Sequence, residues 1–303
     1  MAAEFYIDSA TTTAYIDLAS ASGLTRLTTE ERNPMLTSSY GTGLLIRAAL
    51  KEGVRRIVLG LGGSATVDAG LGATAALGGS IYDLGGNQIE HPCGADLGNI
   101  GGIKPADISA ELILLVDVDA PLTGDRGAAR VFAPQKGADE AMTEALEKGM
   151  ENVATLMKQP RSTPGYGAAG GAAAGLSEFI GGKIVNGAEW VADAIGLEQR
   201  IEGTDLVVTG EGSADRQTLM GKTPMQVMER ARSRGVDTVI IAGQISDRLE
   251  LMQGGFSDAI DINAPYRFHQ DVDPMDPRIA RSRIHTSMAR AVRHHNAELK
   301  INE

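Results

Sequence analysis

The sequence predicts an α/β protein built on a parallel sheet, and three observations carry that expectation. Short apolar runs end repeatedly in glycine-rich loops, as around 57–61, 112–116 and 206–209. Continuous runs of that kind suit strands buried on both faces. The last third alternates such runs with stretches of helical spacing, the rhythm of strand–helix–strand units. Finally, 303 residues exceed what one ordinary core needs, so two α/β domains are expected.

Element by element, residues 3–19 alternate and break at 9–13, the pattern of a hairpin. Asn33-Pro34 punctuates a loop, residues 40–52 have helical spacing, and 57–61 form a buried strand. The glycine loop 60–70 leads to a helix of small residues, and a second short strand ends near Asp83. Residues 85–105 read as irregular, 112–116 as a strand and 138–157 as a charged helix. The small-residue stretch 160–175 reads as a linker or, given its continuation into Leu176, Phe179 and Ile180, as a close-packed helix start. Strands at 206–209, 238–242 and 259–262 then alternate with helices from about Thr223 and near 247. A basic amphipathic helix is expected over 277–299, and no internal repeat is visible.

Composition narrows the function classes. An apolar content of 43% and a charged content of 22% are those of a globular chain. A net charge of −11 disfavours nucleic acid and anionic membrane as partners, since both would repel it. The single Cys93 makes no internal disulfide, which fits a reducing compartment. The opening MAAEFYIDSATTT lacks the basic start and apolar core of a signal peptide, and no apolar run approaches membrane-spanning length. A cytoplasmic protein with a small-molecule substrate is the expectation, with a homo-oligomer left open.

The most informative stretch is TGEGSADRQTLMGKTP at 209–224, which follows Asp205-Leu-Val-Val. A buried strand emptying into glycines, two acids (Glu211, Asp215), an amide (Gln217) and a lysine (Lys222) before a helix reads as a phosphate-handling loop. It is no Walker A loop, because Arg216 stands where a glycine is needed. The loop 60–70 has three readings: a phosphate cradle with Ser64 and Thr66 as donors, a structural tight turn, or a dinucleotide fingerprint (Gly60, Gly62, Ala65, with Asp83 beyond). Asp117 and Asp119 end a buried strand two residues apart, so they face one side. They can accept a hydroxyl proton or hold Mg²⁺, or merely cap the loop. The pair His294-His295 diverges on a helix and offers no metal spacing.

Together and in order, six stretches resemble the bacterial class I glycerate kinases: SYGTGLLIRAAL (39–50), GLGGSATVDAGLGATAALG (60–78), VDVDAPLTG (116–124), FAPQKGA (132–138), GYGAAGGAAAG (165–175) and TGEGSADRQTLMGKTP (209–224). The resemblance implies ATP-dependent, Mg²⁺-assisted phosphorylation of a hydroxyl of D-glycerate, giving 2-phosphoglycerate. It also implies two α/β domains, one Rossmann- or flavodoxin-like, with the active site in the cleft between them. On that basis residues 41–78 and 186–303 are assigned to the Rossmann-like domain, and 1–40 and 79–185 to the second. Asp117 is expected to take the substrate hydroxyl proton. Gly62, Gly63, Ser64, Ala65, Thr66 and Asp68 are expected to form one wall, Gln135 and Lys136 another. Gly170, Gly171, Glu211, Asp215, Gln217 and Lys222 would complete the site, with Asp119 or Asp215 as the metal candidate.

Departures from the family pattern accompany the match. The family's opening strand with its Asp-Ser-Phe-Lys-Gly loop, and the acidic glycine-rich loop after it, have no counterpart here, so the chain is expected to begin at an internal hairpin. Val67 and Ala120 stand where the family tends to have Asn, and Ser213 where it often has Arg. A catalytically impaired small-acid or nucleotide-binding relative is therefore the alternative reading. An NAD(P)-dependent oxidoreductase, resting on loop 60–65 and Asp83, ranks below it.

Overall fold

The computed structural model describes residues 2–263 together with residues 283, 284 and 288. The chain divides after Gly187 into two compact units.

The first unit opens with β1 (Tyr6–Asp8) and β2 (Thr13–Asp17), an antiparallel hairpin closed by Asp8, whose carboxylate accepts from Ala10 and Thr11. A short α1 (Ala19–Ser22), α2 (Tyr40–Lys51), β3 (Arg56–Gly60) and α3 (Leu71–Ala76) follow. Next come β4 (Ser80–Asp83), β5 (Gln88–Ile89), β6 (Ile100–Lys104) and β7 (Glu111–Val116). Helices α4 (Ala128–Phe132), α5 (Glu140–Ala154) and α6 (Ala172–Ile180) lead to β8 (Lys183–Asn186). The main sheet has the order β1-β2-β3-β7-β8, and β2, β3, β7 and β8 run parallel.

Strand β3 owes its central place to Ile57, Val58 and Leu59, all buried, which satisfy both faces at once. One face packs with Ile46 and Ala49 of α2 and Leu176 of α6 in a single core. A second core gathers Leu71, Ile81, Leu97, Ile100, Leu146 and Met150. Helix α5 presents Leu146, Met150 and Val153 at helical spacing and starts at Asp139, whose carboxylate accepts from the Met142 amide at 2.7 Å. Helices α2 and α3 cross closely at Gly43, where a Cβ would lie 2.6 Å from the Ala73 carbonyl.

The second unit contains α7 (Gly187–Ala194), which starts at the boundary, then α8 (Leu197–Ile201), β9 (Leu206–Ala214), α9 (Thr223–Arg232), β10 (Asp237–Ile245), α10 (Arg248–Gly254) and β11 (Asp258–Asp261). Its sheet is wholly parallel, in the order β11-β10-β9, with α9 and α10 as crossovers. Ile240 and Ala242 bury against Met228, Leu251 and Phe256, while Val239, Ile241, Ile260 and Ile262 form the other face.

The α/β class and the parallel sheets match the expectation, but three details differ. Segment 41–78, assigned from sequence with 186–303, instead lies in the first unit, because β3 pairs with β2 and β7 over its whole length. Residues 85–105 are not irregular: β5 and β6 flank β4 in an antiparallel sheet, and a 3₁₀ turn spans Gly94–Asn99. The glycines hid this sheet, since Gly101 is there to let the chain approach the Asp83 carbonyl, 2.7 Å from where a Cβ would sit. Residues 209–214, read as loop, form the second half of β9. Of the helix expected over 277–299, only residues 283, 284 and 288 are described, all three as helix; the rest of it, with His294 and His295, lies outside the described residues.

Candidate functional site

Loop 61–70, at the carboxyl end of β3, and residues 117–119, at the carboxyl end of β7, lie beside one another because those strands are paired. Ligand crevices in such sheets form at these ends. A cavity of about 390 Å³ lies here within the first unit. Gly62, Gly63, Ser64, Asp117, Gln135 and Lys136 line it, so six of the residues singled out from the sequence meet at one place.

The glycine loop is held from two sides. The segment after β2 pins its outer turn: Leu18 N donates to Gly60 O, Leu24 N to Gly63 O and Ala65 N to Ser22 O, at 2.8–2.9 Å. From within, Lys136 Nζ donates to Ser64 Oγ at 2.7 Å and to the Thr66 carbonyl at 2.8 Å. Lys136 is only 2% exposed. Burial lowers its pKa to about 8, although the Asp68 carboxylate opposes the shift. An ammonium has three donors, and two are engaged in these bonds.

Asp68 lies beneath the loop instead of on the cavity wall. Its Oδ2 accepts from the amide and hydroxyl of Ser39 at 2.7 Å each and from Gly72 N at 3.2 Å, while Oδ1 accepts from Gly70 N at 3.1 Å. Burial pushes this carboxyl above its ordinary value against the pull of those donors. It ties the start of α2 to the start of α3.

Gly170 and Gly171 are buried and also lie outside the cavity lining. Both have positive φ, and a Cβ on Gly170 would fall 2.0 Å from the Thr66 carbonyl. The Ala69 amide returns a hydrogen bond to Gly170 O at 3.1 Å. These glycines therefore serve the site by letting loop 165–171 press on loop 66–70. Ala69 and Ala169 adopt left-handed backbone with φ of 53° and 54°, a strained state for alanine that the packing enforces.

Asp117 is exposed at the end of β7, with Asp119, also exposed, two residues on. Gly187 follows β8, and a Cβ there would come within 2.7 Å of Asp117 Oδ1. Among the described residues, no group of three or more His, Cys, Asp or Glu could hold a metal ion unaided.

The remaining four candidates lie in the second unit. Glu211 Oε1 accepts from Thr218 Oγ1 at 2.5 Å, and Lys222 Nζ stands 3.9 Å from Glu211 Oε2. Asp215 caps the 3₁₀ turn Arg216–Leu219 by accepting from the Gln217 amide at 2.7 Å. Glu211 also lines a cavity of about 510 Å³ whose other walls include Val208, Ile241 and Ile262. Gly210 contributes closeness of pairing: a Cβ there would sit 2.4 Å from the Ile241 carbonyl.

Asp83 belongs to no dinucleotide site. It sits in the small antiparallel sheet, and its carboxylate accepts from the amide and side chain of Asn87 in its own turn. A ribose-binding acid would have to end a parallel strand beside β3. Sequence reasoning missed Leu24, Phe132 and Gly187, which the fold brings to the site from far along the chain.

A crevice with a glycine loop, a buried lysine and an exposed carboxylate suits charge handling, which is how small-molecule kinases work. The chain is an enzyme of that kinase class. A family model described as the glycerate kinase family matches residues 1–282, and the chain belongs to this family. It is 39% identical over 258 residues to the glycerate 2-kinase of Escherichia coli K12, covering 82% of this chain and 68% of that one. It is 40% identical over 249 residues to the glycerate kinase of Halalkalibacterium halodurans, covering 78% and 65%. The crystal structure of a protein assigned as glycerate kinase 2 from Salmonella typhimurium LT2 aligns with a TM-score of 0.69 at 38% identity, over 79% of this chain and 67% of that chain. The chain thus spans about two thirds of the length of these relatives. No described helix is long and apolar enough to cross a membrane.

Proposed function

We propose that this chain transfers the γ-phosphoryl group of ATP to a hydroxyl of D-glycerate, giving 2-phosphoglycerate. The observation that carries the proposal is the convergence of Asp117, Lys136, Gln135 and the loop 62–64 on one cavity at the carboxyl ends of β3 and β7.

In this reading Asp117 accepts the proton of the attacking hydroxyl, since it is a carboxylate at the cavity wall. Lys136 fixes the glycine loop through Ser64 and Thr66, and its remaining donor serves the substrate carboxylate or the transferring group. Gly62 and Gly63 leave their backbone open to an anion, and a Cβ on Gly62 would meet nothing within 4 Å. Glu211, Asp215, Gln217 and Lys222, in the second unit, remain candidates for binding substrate or phosphate.

Mg²⁺ keeps several waters and binds one or two carboxylates plus substrate phosphates, so it requires no three-carboxylate cage. Asp119 fits that donor set better than Asp215, whose Oδ1 already caps a turn. When bound with ATP, the ion would neutralise charge on the phosphates.

Phosphorus NMR of the product from ATP, Mg²⁺ and D-glycerate tests this reading. A resonance coupled to the proton on carbon 2 is expected. Coupling to carbon 3 protons would reject the proposed product, and absence of any phosphoglycerate would reject the activity.

A further inference from the structure

The polar groups occupy only part of the cavity. Leu24, Leu61, Leu115, Val118 and Phe132 supply much of the remaining lining, and their side chains offer no hydrogen bond. Leu61 is 5% exposed, Leu24 and Phe132 are half-buried, and Val118 keeps 39% of its surface accessible. At about 390 Å³ the space lies in the range that takes drug-sized ligands, well beyond a three-carbon acid. Once an acid is seated on Ser64, Asp117, Gln135 and Lys136, the chain beyond carbon 3 has room to grow, against apolar walls.

The geometry points to a specificity wall: the site accepts 2-hydroxy acids lengthened by alkyl carbon and discriminates against those lengthened by hydroxylated carbon. This rests on the kinase reading above and names its acceptor class. The physical cause is desolvation. A methyl group at carbon 4 would pack on Leu24, Val118 and Phe132, whereas a hydroxyl there would give up part of its water against side chains that offer it no hydrogen bond. Apolar pockets reject an added hydroxyl by up to about a hundredfold.

The test compares 2,3-dihydroxybutanoate with 2,3,4-trihydroxybutanoate of the same configuration at carbons 2 and 3. Both are measured by calorimetric binding to the full chain and, separately, as phosphoryl acceptors beside D-glycerate. Binding of the methyl acid about tenfold or more tighter than the hydroxylated acid is expected, with the same order in kcat/KM. Val118→Thr adds one hydroxyl at an accessible position and should narrow that ratio severalfold. Equal or reversed affinities, or failure of both acids to bind, would overturn the wall. Turnover of glycerate with a reversed acceptor order overturns the wall and leaves the kinase reading standing. Binding in the expected order without turnover of any acid upholds the wall and rejects the kinase reading.

Discussion

The Lys136 ammonium donates to the Ser64 hydroxyl at 2.7 Å, across 72 residues of sequence, and so joins the turn after α4 to the glycine loop after β3. The link is buried, and burial lowers the lysine to a pKa of about 8. Between that value and the ordinary 10.5, the unfolded chain keeps a proton that the folded chain releases. Stability contributed by this group therefore rises with pH through that window, while its charge declines. Above about pH 8, kcat/KM for D-glycerate should fall with no matching loss of stability from this lysine. A pH–rate profile beside urea midpoints reads both. Residual activity of Lys136→Met should lack the alkaline limb; an unchanged limb would remove the role given to Lys136.

Asp117→Asn keeps the shape of the side chain and removes its basicity. Turnover should drop by about 10²–10⁴-fold, the range for a lost general base. Because Asp117 is exposed at the strand end, the melting temperature should stay near that of the parent. Steady-state kinetics paired with thermal denaturation separates the two effects.

Gly187 sets how closely Asp117 can approach the end of β8. In Gly187→Ala the new Cβ would displace the Asp117 carboxylate, the movable end of a side chain, with little strain on the backbone. A misplaced reacting group costs on the order of tenfold to a hundredfold in rate. The expected signature is a lower kcat with little change in melting temperature. A large fall in melting temperature instead would make Gly187 a packing residue alone.

Gly170→Ala should do the reverse. Its Cβ would meet the Thr66 carbonyl and Val67 Cα, which are backbone atoms, at a φ of 65°. Overpacking with backbone strain costs about 2–4 kcal/mol. Chemical denaturation should show that loss, and activity should fall only with the folded fraction.

Much of this arrangement was legible in the sequence, and the reason is local. Strand β3 announces itself because Ile57, Val58 and Leu59 form one uninterrupted apolar run, and α5 because Leu146, Met150 and Val153 recur at helical spacing. Glycine was the ambiguous letter. At 62 and 63 it opens a loop on the cavity, at 170 it lets two loops interlock, and at 210 it admits a neighbouring strand. The chemistry of glycine is the same in all three, and only the partner brought by tertiary folding distinguishes them. Leu24 and Phe132 were invisible for a related reason: an apolar side chain reads as core until a cavity beside it is known. Asp68 was expected on the wall because the family resemblance carried it there, yet four donors on two helix starts engage its oxygens.

The most direct measurement is ADP release by the purified chain with ATP and Mg²⁺, in the presence and absence of D-glycerate. Release that depends on glycerate, and that Asp117→Asn abolishes in a folded protein, is the expected result. No glycerate-dependent release from a folded sample, or equal release by Asp117→Asn, would contradict the central claim.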